Sequence, residues 1–169
     1  ERWSPPWSWV EALAGRVRVV AKVAPGFTAP AGWQCSWTSV DRTVVEAMVA
    51  SWPLFTSPAR AVAFVGDHVE AIDVDESSTL ALAPSLNAYV HEPDPAVIRA
   101  GGIDSLGGLD PTLARLDSAG TWLTSSQPST SILMRSYRVL EVLPADRKKR
   151  RRSLADRGIT SATIKTRDV

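Results

Sequence analysis

Arg147-Lys148-Lys149-Arg150-Arg151-Arg152 sets six cations in succession, enough to wrap almost all the way round a helix and leave Leu154 as its one obvious apolar anchor. No core can be built there. The charge division extends beyond this run: residues 135–169 hold 11 Lys/Arg against 4 Asp/Glu, net +7, while residues 1–134 hold 8 against 14, net −6. A basic segment joined to an acidic body suits contact with a polyanion, because clustered cations release counterions from a phosphate backbone. RNA or DNA is the first partner to consider.

With 169 residues and 44% hydrophobic content, the chain can bury one sizeable core or two small ones. No stretch approaches the roughly 20 apolar residues of a bilayer span, and the first residues lack the basic start and apolar run of a secretory signal. The expectation is a cytoplasmic protein with no membrane partner. Cys35 is the sole cysteine, so no internal disulfide forms, and its reading is a small buried apolar residue. With His68 and His91 it makes no metal-ligand spacing.

Trp7 to Ala14 reads as a short amphipathic helix, started by Pro5-Pro6 and ended at Gly15. Val17 to Ala24 is a largely apolar run that suits a strand covered on both faces, stopped by Pro25-Gly26. Gln34 to Val40 and Thr43 to Val49 predict an antiparallel hairpin around Asp41-Arg42. Ala61 to Val65 and His68 to Ile72 predict another around Gly66-Asp67, where glycine reaches positive φ freely. Asp73 to Pro84 is the best linker candidate in the first half. Asp94-Pro95 opens a helix ending at Gly101-Gly102, with the Asp as cap. Beyond a polar stretch from Thr124 to Ser131, the chain predicts a strand at Tyr137 to Leu143, a helix capped by Asp146 and ending near Gly158, and a strand at Ala162 to Arg167.

The candidate nucleic-acid contacts are Arg147, Lys148, Lys149, Arg150, Arg151 and Arg152, continued by Arg157, Lys165 and Arg167. Set against this is an ordinary solvated basic face. Tyr137 is the one aromatic nearby, so such a surface positions a backbone rather than stacking bases. The seven tryptophans read as core or interface packing. Glu92, Asp94 and Asp104 do not make a catalytic pair, since Asp94 is better explained as a cap. Gly101-Gly102 and Gly107-Gly108 follow no buried strand and are no phosphate loop. Lys22, Pro25 and Gly26, at the carboxyl end of a predicted parallel strand, sit where open α/β sheets bind ligands but read first as strand-end residues.

Ser4-Pro5-Pro6, Val19-Val20-Ala21-Lys22-Val23-Ala24-Pro25-Gly26, Ser39-Val40-Asp41, Val45-Glu46-Ala47, Glu92-Pro93-Asp94-Pro95-Ala96-Val97-Ile98-Arg99-Ala100-Gly101 and Glu141-Val142-Leu143-Pro144 form an ordered series. It resembles the C-terminal part of the actinobacterial-type class I S-adenosylmethionine-dependent methyltransferases that end in a THUMP-like domain. The resemblance implies an α/β fold: the C-terminal part of a Rossmann-like methyltransferase sheet over residues 1–75, a small α+β connecting module over 76–134, and the start of an incomplete THUMP-like domain over 135–169. It also implies an RNA substrate and S-adenosylmethionine as cofactor of the full-length family, held by a glycine-rich turn that precedes Glu1, so that this chain alone binds none. A second chain supplying the missing half of the sheet is a further expected partner. Arg150 stands where the family has an apolar helix residue, Thr160 and Asp168 at glycine positions, and Asp41-Arg42 in place of an Asp-Gly turn. Two other readings stay open: a non-enzymatic nucleic-acid-binding or interaction module, and a non-functional gene remnant.

Overall fold

The computed structural model describes residues 5–163 and 165. Helix α1 (Trp7–Ala14) precedes strands β1 (Val20–Val23), β2 (Gln34–Val40), β3 (Thr43–Ala50), β4 (Ala59–Val65) and β5 (His68–Asp73). Then come β6 (Tyr89–Pro93), α2 (Pro95–Ala100), a 3₁₀ turn (Asp104–Gly108), β7 (Ala114–Arg115), β8 (Leu123–Ser125), β9 (Met134–Arg138) and α3 (Arg147–Asp156). The first five strands form one sheet in the order β1-β3-β2-β4-β5, and the rest a second, β7-β8-β6-β9. The fold is mixed α/β, as expected.

Both predicted hairpins form. Their turns solve the same geometric problem differently: Gly66 takes a φ of 55°, whereas Asp41 and Arg42 hold φ values of 45° and 68° without being glycine. A two-residue hairpin turn needs that left-handed backbone to match strand twist, and an L-residue there costs roughly 1–2 kcal/mol. β2 pairs parallel with β4 and antiparallel with β3, so the chain crosses the end of β2 between β3 and β4. The buried Gln34 amide fixes that crossing, donating to the carbonyls of Phe55 and Ser57 at 2.6 Å each and accepting from the amides of Leu54 and Phe55.

One face of the first sheet is covered throughout. Trp7, Phe27 and Trp33 close over Val23, Cys35, Ala47 and Val49. Farther along, Ala96, Val97 and Ala100 of α2 pack with Ala61 and Ala63 of β4, and the same core runs on through Leu106, Leu123 and Met134 of the second module. Each large aliphatic side chain buried there contributes about 1.5–3 kcal/mol. The opposite face buries Gln34, Ser36 and Ala50 at one end and elsewhere exposes Val20, Val40, Phe64 and Val69.

Five sequence expectations change. The strand expected from Val17 to Ala24 with two covered faces is a four-residue edge strand of which only Val23 is buried, because β3 pairs one side of it and, among the described residues, nothing pairs the other. The linker expected from Asp73 to Pro84 is packed instead, with Val74 and Leu80 buried in the shared core. Thr124 and Ser125, read as part of a polar loop, lie fully buried in β8. Their hydroxyls donate to the carbonyls of Tyr89 and Gln127 at 2.6 Å each, which removes the penalty of burying them. The strand expected at Tyr137 to Leu143 is displaced to β9, since its partner β6 begins at Tyr89, opposite Arg138, and offers no register beyond. The last predicted strand is not formed at residues 161–163 or 165, and its remaining positions, Arg167 included, lie outside the described residues.

Candidate nucleic-acid interface

Helix α3 begins where expected. Asp146 accepts a hydrogen bond from the Lys149 amide at 2.8 Å, and Gly158, at φ 68°, lets the Ile159 amide return to the Leu154 carbonyl at 3.0 Å. Leu154 and Ile159 line an open groove of about 580 Å³ together with Val90 of β6 and with Leu86 and Val139, which flank β6 and β9. The helix is thus held by its C-terminal end. Its six cations, Arg147 through Arg152, are all exposed. No carboxylate stands in its first turn, so three cations face the positive end of the helix dipole and like charges repeat at three- and four-residue spacing.

The other candidates have protein partners. Arg157 forms an ion pair with Glu141 and donates to the Ser153 carbonyl at 2.7 Å, anchoring the helix end to the segment before it. Lys165 bonds Glu92, and its ammonium lies 3.2 Å from the Tyr137 hydroxyl and 5.9 Å from the Trp122 ring centre. Burial works to raise the Glu92 carboxyl, yet the Lys165 and Tyr137 hydrogen bonds outweigh it and hold the group below its usual range. The same bond raises Lys165.

Three residues that the sequence reading did not place at a site join this cluster. Register sets Arg135 directly opposite Glu92, and its guanidinium lies 5.2 Å from the Tyr137 ring centre. Trp122, read from sequence as packing, sits 6.3 Å from Tyr137, centre to centre. Arg42 arrives from the other sheet on the strained β2–β3 turn, with Nη1 3.8 Å from Asp94 Oδ2. Neither of those two atoms has a hydrogen-bond partner, and both are buried. Arg42, Arg135, Lys165 and Glu92 line a small cavity of about 170 Å³ with Pro93 and Pro95. Arg42 was visible in the sequence as an arginine at a turn position that favours glycine, but its neighbours were not.

The remaining polar groups are structural. Asp94, fully buried, caps α2 through the Ala96 amide at 2.9 Å and accepts the Ser39 hydroxyl at 2.5 Å. Asp104 pairs with Arg115 at 2.7 Å, which lowers its pKa. His91 is buried between Ser136 and Ser125, 3.0 and 2.8 Å from its ring nitrogens. Burial pushes the Cys35 thiol up to about 11. Gly101, at φ 74°, ends α2. Lys22 pairs with Glu46 at 3.0 Å on the surface, and the Pro25 carbonyl accepts the Trp37 indole. Among the described residues no cluster of potential metal ligands occurs and no helix is long and apolar enough to cross a membrane.

Residues 134–169 match the THUMP domain-like family, a span that opens on the first residue of β9 and contains all of α3. The comparison with curated proteins found no match. Among solved structures, the fold is similar to that of a "putative methyltransferase from Porphyromonas gingivalis W83", with a TM-score of 0.70 and 15% identity over 90% of this chain. This chain spans 43% of that one's length.

Proposed function

We propose that these residues form the C-terminal portion of a class I S-adenosylmethionine-dependent methyltransferase that acts on RNA, with the donor site on a preceding part of the sheet. The observation that carries this reading is the edge β1-β3-β2. An antiparallel strand is inserted between two that run the same way, β1 offers an unpaired side among the described residues, and one sheet face exposes Val20, Val40, Phe64 and Val69. That is the arrangement expected of the closing strands of a larger sheet, and the methyltransferase-like fold supports it. Residues 1–75 then close the catalytic sheet, 76–134 connect, and 135–169 begin the THUMP-like domain. The RNA reading draws on that domain and on the exposed cations of α3.

Methyl transfer requires a sulfonium held in line with its acceptor, a matter of positioning. Here the residues at the carboxyl end of β1, where open sheets bind ligands, are already engaged with Glu46 and Trp37. Isothermal titration of this chain with S-adenosylmethionine is expected to show no heat of binding. Saturable binding would sink the assignment of the donor site to another segment. A non-enzymatic nucleic-acid-binding or interaction module is the second reading, favoured by the exposed cations of α3, which can meet a phosphate backbone without a catalytic half.

A further inference from the structure

The seam between the two sheets carries a polar cavity that the basic helix does not explain. Arg42 holds its place on a left-handed backbone that glycine would adopt without strain, and its buried Nη1 makes no hydrogen bond, standing 3.8 Å from an Asp94 Oδ2 that makes none either. Buried donors are almost always satisfied, so an unsatisfied one calls for a missing partner. Arg135, exposed on β9, stands opposite Glu92, whose carboxyl its charge helps to hold low, and lies over the Tyr137 ring. Lys165 completes a third side of the 170 Å³ cavity. That space exceeds the roughly 30 Å³ share of a single water. Beside it stand Trp122 and Tyr137, their rings tilted by 48° and capped by the Lys165 ammonium.

We infer that Arg42, Arg135 and Lys165, flanked by Trp122 and Tyr137, form a nucleotide subsite that takes one phosphate of single-stranded RNA in the cavity and one base on the Trp122 ring. This inference rests on the RNA reading of the basic helix and extends it onto the acidic body. Cations that fix a backbone phosphate next to an aromatic face are the two components of sequence-tolerant single-strand binding. The Glu92 carboxylate keeps Lys165 over the rings while the site is empty. A base that stacks on Trp122 displaces the ammonium, which then meets the phosphate. The turn strain at Arg42 places a guanidinium that β2 and β3 alone would not direct to the second sheet.

The test uses the full chain and fluorescein-labelled octauridylate, followed by anisotropy across a salt series. Three variants are compared with the parent: Arg135→Gln, Trp122→Leu, and a helix variant with Lys148, Lys149, Arg150, Arg151 and Arg152 all replaced by Gln. Arg135 is exposed, so Arg135→Gln is expected to unfold at the parent's temperature, bind roughly threefold to tenfold more weakly and lower the salt slope by about 0.7. Trp122→Leu is expected to weaken binding roughly tenfold with little change in slope, as the loss of one stacked base requires. If both bind like the parent while the helix variant loses affinity, the subsite is refuted and the RNA reading survives. If the parent itself does not bind, both fall.

Discussion

Asp94 concentrates more of the fold's polar bonding than any other single residue of the seam. Its carboxylate caps α2, receives Ser39 from β2 and faces Arg42, all while fully buried. Asp94→Ala should therefore lower stability by about 2 kcal/mol or more, combining a lost cap with an orphaned buried hydroxyl. Asp94→Asn, which keeps an acceptor for the cap, should lose less, and chemical denaturation of the two distinguishes them. Cys35 gives a second residue-level expectation: with its thiol raised to about 11 by burial, a thiol reagent at pH 8 should label the native protein only at the rate of its unfolding. His91 supplies a pH dependence. Burial depresses it below its ordinary 6.5, with Asp110 pulling weakly the other way. The folded state thus favours the neutral ring, so this contribution is complete above about pH 6.5 and fades as pH falls toward the lower folded value. Between pH 7.5 and 5, thermal unfolding of His91→Gln should shift less than that of the parent.

At the level of elements, α3 is the one helix whose sequence argues against its own stability. Like charges at i,i+3 and i,i+4 each oppose it by about 0.2–0.5 kcal/mol, and cations at its start add to this. The Asp146 cap, the Gly158 closure and the anchoring of Arg157 to Glu141 and the Ser153 carbonyl favour it. Helicity by circular dichroism should rise when sulfate or RNA is added; no change would mean that the cations do not limit the helix. This element was legible in sequence, as were both hairpins, because caps, glycines and turn pairs are local signals. β8 was not legible. Its Thr124 and Ser125 look like loop residues until Tyr89, Gln127 and His91 are placed around them by strand pairing. The displaced end of β9 has the same cause, since a strand stops where its partner stops.

Across the whole molecule, the division between acidic body and basic tail remains the dominant feature, and the structure adds a seam where the two meet. The seam depends on the pairing of Glu92 with Arg135 and on Arg42 reaching across from the other sheet, contacts between distant segments that no local pattern announces. The exposed sheet face and the open side of β1 give the molecule a second surface, where the proposed remainder of the sheet would pair. If the basic tail is this molecule's proposed grip on RNA, the salt dependence of RNA affinity reads it out. For the parent chain, log affinity should fall steeply with log salt, and replacing Lys148, Lys149, Arg150, Arg151 and Arg152 by Gln should reduce that slope by up to roughly 3. An affinity and slope unchanged by the five replacements would contradict it.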